Sequence, residues 1–348
     1  MKTLRTPEDL RNAGLIPPER AAALENVAAR YAVAIPPALV ALIDRNDPND
    51  PIARQFVPDA SELDMRPNEN VDPIGDHAHS PVEGIVHRYP DRVLFKLTHV
   101  CAVYCRFCFR REMVGPNHPN ALSAEARRRA FDYIAAHPEI WEVILTGGDP
   151  LVASARRLSE TLRALAGIDH VRVLRIHTRV PIAAPETITP SLVRALKVKG
   201  KPTYVAVHVN HPRELGREQR AAIALLANAG LPLVSQTVLL KGVNDSLDTL
   251  EALMRALVEC RIKPYYVHHA DLAPGTAHLR TDVATGQALM RGLRGRVSGL
   301  CQPEYVLDIP GGYGKAPVGP AYLVRADDTH VTVTDFTGRA HIYPPDDQ

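Results

Sequence analysis

Between residues 93 and 298, short apolar runs alternate six times with amphipathic stretches, and this alternation restricts the fold more than any other feature. The runs at 93–97, 142–145, 171–176, 204–209, 233–239 and 265–268 read as strands. The stretches near 123–137, 155–166, 190–198, 214–229, 246–260 and 284–298 read as helices. In the stretch near 246, Leu247, Leu250, Leu253, Met254 and Leu257 fall on one stripe, with Asp245 or Ser246 available as the cap. Six β-α units joined by right-handed crossovers give parallel strands, hence an α/β fold with a complete or partial (β/α)6 TIM-type barrel. In that architecture chemistry collects at the C-terminal ends of the strands.

The residues at those ends are chemically pointed. After the first strand comes Thr98-His99-Val100-Cys101-Ala102-Val103-Tyr104-Cys105-Arg106-Phe107-Cys108-Phe109-Arg110-Arg111. Cys101, Cys105 and Cys108 are spaced C-x3-C-x2-C and are three of only five cysteines, so no fourth follows within ligand reach. Three thiolates on one loop suit three corners of a cubane iron–sulfur cluster, with one iron left for an exogenous ligand. A zinc half-site is the plainer reading, but a second C-x2-C or an H-x3-5-H does not follow. The odd count and the lack of a secretory signal argue against a disulfide and for a cytoplasmic protein. Gly147-Gly148-Asp149 follows the second strand, His208 and Asn210-His211 end the fourth, Gln236 lies in the fifth, and Asp271 follows the sixth.

The flanks are different. Residues 1–84 form an N-terminal helical segment, with Pro17-Pro18 and Pro36-Pro37 opening helices and no residue that suggests chemistry. Residues 85–302 hold the barrel, and 303–348 form a C-terminal lysine loop with a small β extension. There Val306–Ile309 runs into Gly311-Gly312-Tyr313-Gly314-Lys315, which lacks the G-x4-G-K-[ST] of a phosphate loop. A lysine so placed is either a solvated surface group or an amine for Schiff-base chemistry. Arg106, Arg110 and Arg111 beside the cysteines, and Arg88 and Arg92 around Tyr89, are candidate anion grips. Asp271 and Asp308, if they share one mouth, would make an ammonium receptor. With 41 basic and 39 acidic residues, a net of +2, there is no electrostatic case for nucleic acid, and no apolar run is long enough to span a membrane.

The cysteine loop resembles that of the radical S-adenosylmethionine enzymes, in particular the lysine 2,3-aminomutase family. The likeness extends through Asp47-Pro48-Asn49-Asp50-Pro51-Ile52, His87-Arg88-Tyr89-Pro90-Asp91-Arg92, the Gly-Gly-Asp turn, His208-Val209-Asn210-His211-Pro212, Gln236–Leu240, Pro264-Tyr265-Tyr266 and Pro310–Lys315. It implies that Cys101, Cys105 and Cys108 hold a [4Fe–4S] cluster and that Gly147, Gly148, Asp149, His208 and Gln236 position S-adenosylmethionine. It further implies that Lys315 holds pyridoxal phosphate, with Arg88, Tyr89 and Arg92 near the ring. Arg110 would pair with the substrate carboxylate, and Asp271 and Asp308 with the ε-ammonium of lysine. The activity implied is migration of nitrogen from C2 to C3 of L-lysine by a 5′-deoxyadenosyl radical. A reduced flavodoxin- or ferredoxin-type donor and a possible homo-oligomer are implied as partners. Phe107 stands where well-known members carry histidine, and Tyr313 interrupts a run of glycines. Ser246 occupies the place of a zinc-ligating cysteine, so no zinc is expected. Other readings are the relative that supplies β-lysine to elongation factor P, which Phe107 favours and Asp308 disfavours, a mutase of another amino acid, and a non-catalytic metal-binding regulatory module.

Overall fold

The computed structural model describes residues 2–114, 121–325 and 329–345. One sheet runs in chain order through β1 (Ile85–Tyr89), β2 (Arg92–Thr98), β3 (Glu142–Gly147), β4 (Val173–Thr178), β5 (Thr203–His208), β6 (Leu233–Leu239), β7 (Lys263–His269), β8 (Glu304–Ile309) and β9 (Gly314–Pro317). Strands β2 to β8 are parallel, and β1 and β9 close the two ends antiparallel. The sequence predicts six parallel strands; β8 is a seventh, in register with β7 at His268 and Val306. The sheet therefore continues through residue 303, and the lysine loop is built on its last two strands.

Strand alternation divides the side chains between two environments. On β3, Val143 and Leu145 join the core under the helices, whereas Ile144 and Thr146 face a cavity inside the sheet. The helix Leu247–Glu259 buries Leu250, Leu253, Met254 and Leu257, and Ser246 caps it by accepting from Thr249 N. Among the described residues no helix is long and apolar enough to cross a membrane. A three-stranded antiparallel sheet, β10 (Leu323–Arg325), β11 (Val331–Thr334) and β12 (Ala340–Tyr343), follows as predicted.

The sheet curls until its ends meet. Tyr89 Oη on β1 accepts a 2.6 Å bond from the backbone N–H of Lys315 on β9. Gly314 is required there: its φ is +90°, and a Cβ would sit 2.8 Å from the Tyr89 hydroxyl.

The N-terminal segment packs Leu10, Leu24, Val27, Leu39, Ile52 and Phe56 into the barrel's own core. It also reaches the cysteine loop through buried charge. Glu62, fully buried, receives Arg106 Nε at 2.9 Å and Nη2 at 2.5 Å, and Arg111 bonds the same carboxylate. Burial raises the pKa of Glu62, but the two guanidiniums outweigh it and leave the group below its ordinary value. A lowered carboxylate stabilises the fold above its unfolded pKa, roughly 4 for such groups. That contribution is lost as pH falls through the lowered value. Removing one partner from a buried ion pair costs about 3–5 kcal/mol because the other charge stays buried. Glu62→Ala is therefore predicted to lower the unfolding free energy obtained from urea titration by that order and to flatten the acid limb of stability below pH ~4; unchanged acid sensitivity would contradict the assignment.

Candidate functional site

The residues that the family resemblance assigns to the site all line one cavity of about 280 Å³ inside the curled sheet; of the other candidates, Arg106, Arg111, Asn210 and His211 do not. Its lining includes Cys101, Cys105 and Cys108, all free thiols and all partly exposed. Burial pushes each upward: Cys101 well above its ordinary value, Cys105 upward, and Cys108 to about 11, with neighbouring thiols adding to Cys101 and Cys108. Metal binding would displace those protons. Among the described residues no three such side chains converge on a single ion position. A cubane does not require convergence, because each thiolate binds its own iron corner. The donor set fits a cluster better than a lone zinc.

Gly147 and Gly148 have a different immediate reason from the expected one. A Cβ on Gly147 (φ +113°) would lie 2.4 Å from Thr98 O, and one on Gly148 2.2 Å from Val100 O. The close approach is made by the protein's own backbone as it enters the cysteine loop. Gly148 N donates to Thr98 O at 2.5 Å and Asp149 N to Val100 O at 2.9 Å, fixing the loop on β3. The Asp149 carboxylate accepts from Thr178 Oγ1 (2.8 Å), Arg179 N (2.6 Å) and Leu151 N (3.0 Å), so it ties the end of β3 to the end of β4. His208 bonds Asn210 Oδ1 through Nε2 at 3.1 Å, and burial holds it neutral, well below its ordinary pKa. Its ring lies 5.4 Å from Phe107, and Gln236 pairs with it across β5 and β6.

In the same lining, Lys315 Nζ bonds Asp308 Oδ1 at 2.7 Å, while His268 Nδ1 stands 3.6 Å from Asp308 Oδ2. Burial opposes ionisation of Asp308, but His268 and Lys315 bring it down to about 2. Asp271 is the reverse: burial first, and then the charge of Asp308, push it up to about 7. One carboxylate is charged and partnered, and the other is raised far enough to exchange its proton near neutral pH.

The arginines divide their work. Arg110 gives Nε (3.0 Å) and Nη2 (2.8 Å) to Asp76 Oδ2. Arg88 gives Nη2 to Asp76 Oδ1 (3.0 Å) and to Ile74 O (2.7 Å), while its buried Nε has no partner. Arg92 lies 3.8 Å over the Tyr89 ring and pairs with Asp91. Arg106 and Arg111 turn away from the cavity toward Glu62.

Sequence reasoning missed Asp76, His177, Arg179 and His268. Arg179 and His177 lay within reach of the strand-end rule, since β4 ends at Thr178 and was the one strand end left without a candidate. Asp76 had no such signal, because it sits in a segment without a regular pattern.

Comparison with known proteins places the chain in a class and then in a family. The Radical SAM superfamily model matches residues 95–257, which run from β2 into the helix after β6. Membership of that class supports a [4Fe–4S] cluster and S-adenosylmethionine as cofactors, consistent with the three thiols in the lining of the cavity. A second model, Lysine-2,3-aminomutase, matches residues 290–348, which include Asp308 and Lys315. The chain is 40% identical to the L-lysine 2,3-aminomutase of Acetoanaerobium sticklandii over 99% of its own length and 83% of that protein. It is 43% identical to that of Clostridium subterminale over 88% and 73% of the two chains. Glutamate 2,3-aminomutase of Clostridioides difficile is 37% identical over 91% and 74%. This chain belongs to the lysine 2,3-aminomutase family.

The raised pKa of Asp271 gives a measurable consequence. A primary ammonium bound beside it favours the ionised carboxylate, so binding near pH 7 releases protons and tightens as pH rises. Calorimetry with pentane-1,5-diamine in two buffers of different ionisation enthalpy should give different apparent heats. Identical heats would exclude Asp271 as the titrating partner.

Proposed function

We propose that the protein is an L-lysine 2,3-aminomutase that moves the α-nitrogen of lysine to C3. The observation that supports this reading is the shared cavity: the three thiols, Lys315 and the two aspartates all line it. When bound, the cluster with S-adenosylmethionine supplies a 5′-deoxyadenosyl radical and pyridoxal phosphate supplies an aldehyde for the migrating nitrogen. Cys101, Cys105 and Cys108 would hold the cluster, with Gly147, Gly148, Asp149, His208 and Gln236 around the sulfonium cofactor.

Lys315 would carry the pyridoxal phosphate, with Arg88, Tyr89 and Arg92 beside it. The unpartnered Nε of Arg88 is a buried donor suited to an anionic group of that cofactor. To act as a nucleophile Lys315 must give up a proton, and it sits in contact with Asp308, which in turn faces neutral His268. Arg110 would take the substrate carboxylate. Asp76 uses its Nε and Nη2, which leaves the Nη1 side for a second anion.

The distant ammonium of the substrate would go to Asp271 and Asp308. Asp308 already binds one primary ammonium, that of Lys315, at 2.7 Å. Two carboxylates in this lining disfavour a substrate with an acidic side chain, which sets this reading above a glutamate mutase. The cysteines must remain reduced, which suits the cytoplasm, and the electron would come from a reduced flavodoxin- or ferredoxin-type protein.

Anaerobic reconstitution with iron and sulfide should load about four irons per chain. With lysine, S-adenosylmethionine, pyridoxal phosphate and a reductant, mass spectrometry should then detect β-lysine. Lys315→Ala should abolish conversion while leaving the cluster's visible absorption intact. Turnover by that variant, or reaction of another amino acid with lysine untouched, would overturn the proposal.

A further inference from the structure

We infer that Arg179 sets the reduction potential of the iron–sulfur cluster by donating a hydrogen bond to the sulfur of Cys105. Arg179 Nη1 lies 3.3 Å from Cys105 Sγ, within the range of an N–H···S bond. The side chain has almost no freedom to leave. Its Nη2 donates to Glu214 Oε2 at 2.6 Å and to Gln55 Oε1 at 2.7 Å. Its guanidinium lies 4.8 Å from the Phe56 ring and 5.3 Å from the Phe107 ring. Its backbone N–H is held by Asp149 at 2.6 Å.

The clamp is itself clamped. Glu214 is fully buried and accepts from the backbone N–H groups of Asn210 (3.0 Å) and His211 (2.9 Å) and from Gln55 Nε2 (3.1 Å). Four elements therefore converge to aim one guanidinium N–H at one sulfur. Of the three sulfurs, Cys105 Sγ is the one that accepts a side-chain guanidinium N–H in the described hydrogen bonds. The three cysteines are thus not equivalent.

A hydrogen bond to a ligating sulfur withdraws electron density from it and stabilises the reduced cluster, and charge-assisted bonds are the stronger kind. In a buried site this effect is not screened by water. Arg179 therefore raises the potential, which lets the cluster accept an electron from a protein donor. Arg179 is a positioning and tuning residue that acts through Cys105. The inference rests on the cluster proposed above and adds a residue that neither the motif nor the family match singles out.

The test is an EPR-monitored redox titration of the anaerobically reconstituted protein, with iron content measured in parallel. The paired substitution R179M/E214Q removes one positive and one negative charge together, so any change in potential reports the lost hydrogen bond rather than net charge. It should load as much iron as the parent protein and show a more negative midpoint. R179K keeps the ion pair to Glu214 but loses the planar fork, and its midpoint should also fall. If the paired variant does not fold, R179K alone decides. A loaded R179K with the parent midpoint overturns the inference. Failure of the parent protein itself to bind iron would instead overturn the proposed function.

Discussion

Four arginines crowd the three thiols, a fifth, Arg88, shares Asp76 with one of them, and the site depends on how their charge is balanced. Glu62 takes Arg106 and Arg111, Asp76 takes Arg88 and Arg110, and Glu214 takes Arg179. A buried guanidinium without a counter-charge costs several kcal/mol, so an unbalanced set would keep the loop from packing against the sheet. Two of the three carboxylates come from the N-terminal segment, Glu62 from the short helical turn Ala60–Leu63 and Asp76 from the residue before the turn His77–His79. The segment is thus an electrostatic part of the site, although it contributes no residue that touches the thiols through its side chain charge. Its hydrophobic residues and the barrel's share one core, so charge pairing and burial fix the same geometry.

The pairing also decides which donors remain available. A guanidinium offers five N–H groups in a fixed plane. Asp76 occupies one edge of Arg110 and one nitrogen of Arg88, so each arginine turns a limited set of donors inward. Arg179 is divided similarly, with one nitrogen held by Glu214 and Gln55 and another directed at sulfur. Arg106 and Arg111 spend their donors on Glu62 and on backbone carbonyls, including Ala32 O and Arg106 O. Composition alone makes these five residues look alike, and their partners make them different.

Much of the barrel was legible because burial on one side of a strand and on one stripe of a helix leaves a periodic trace. The run 233–239 became β6 residue for residue, and the stripe from Leu250 to Leu257 became the buried face of its helix. The cysteine loop and Lys315 could be named as candidates from their spacing and their place after a strand, and the fold brings both into one lining. The seventh parallel strand was visible as an apolar run at 306–309, but its assignment to the barrel was not, since strand pairing depends on partners distant in the chain. The glycine pair was found for an incomplete reason: its closest neighbours are Thr98 and Val100, a contact that no local pattern encodes. Asp76 and Glu62 were illegible for the same cause, because an isolated acid gives no sign of which guanidinium it will meet. His177 and Arg179 could have been read by asking every strand end for a candidate.

The bond between Tyr89 and the backbone of Lys315 joins the first strand of the sheet to the last. Residues on either side of that seam are more than two hundred positions apart in sequence, so the ring of strands is sealed at the same lysine proposed to carry the aldehyde. A small molecule anchored there, with Arg88 on one margin and Lys315 on the other, would act as a rivet across the weld. Any ligand that binds only the closed form adds its binding free energy to closure. Cofactor occupancy and the mechanical integrity of the barrel are then two faces of a single equilibrium.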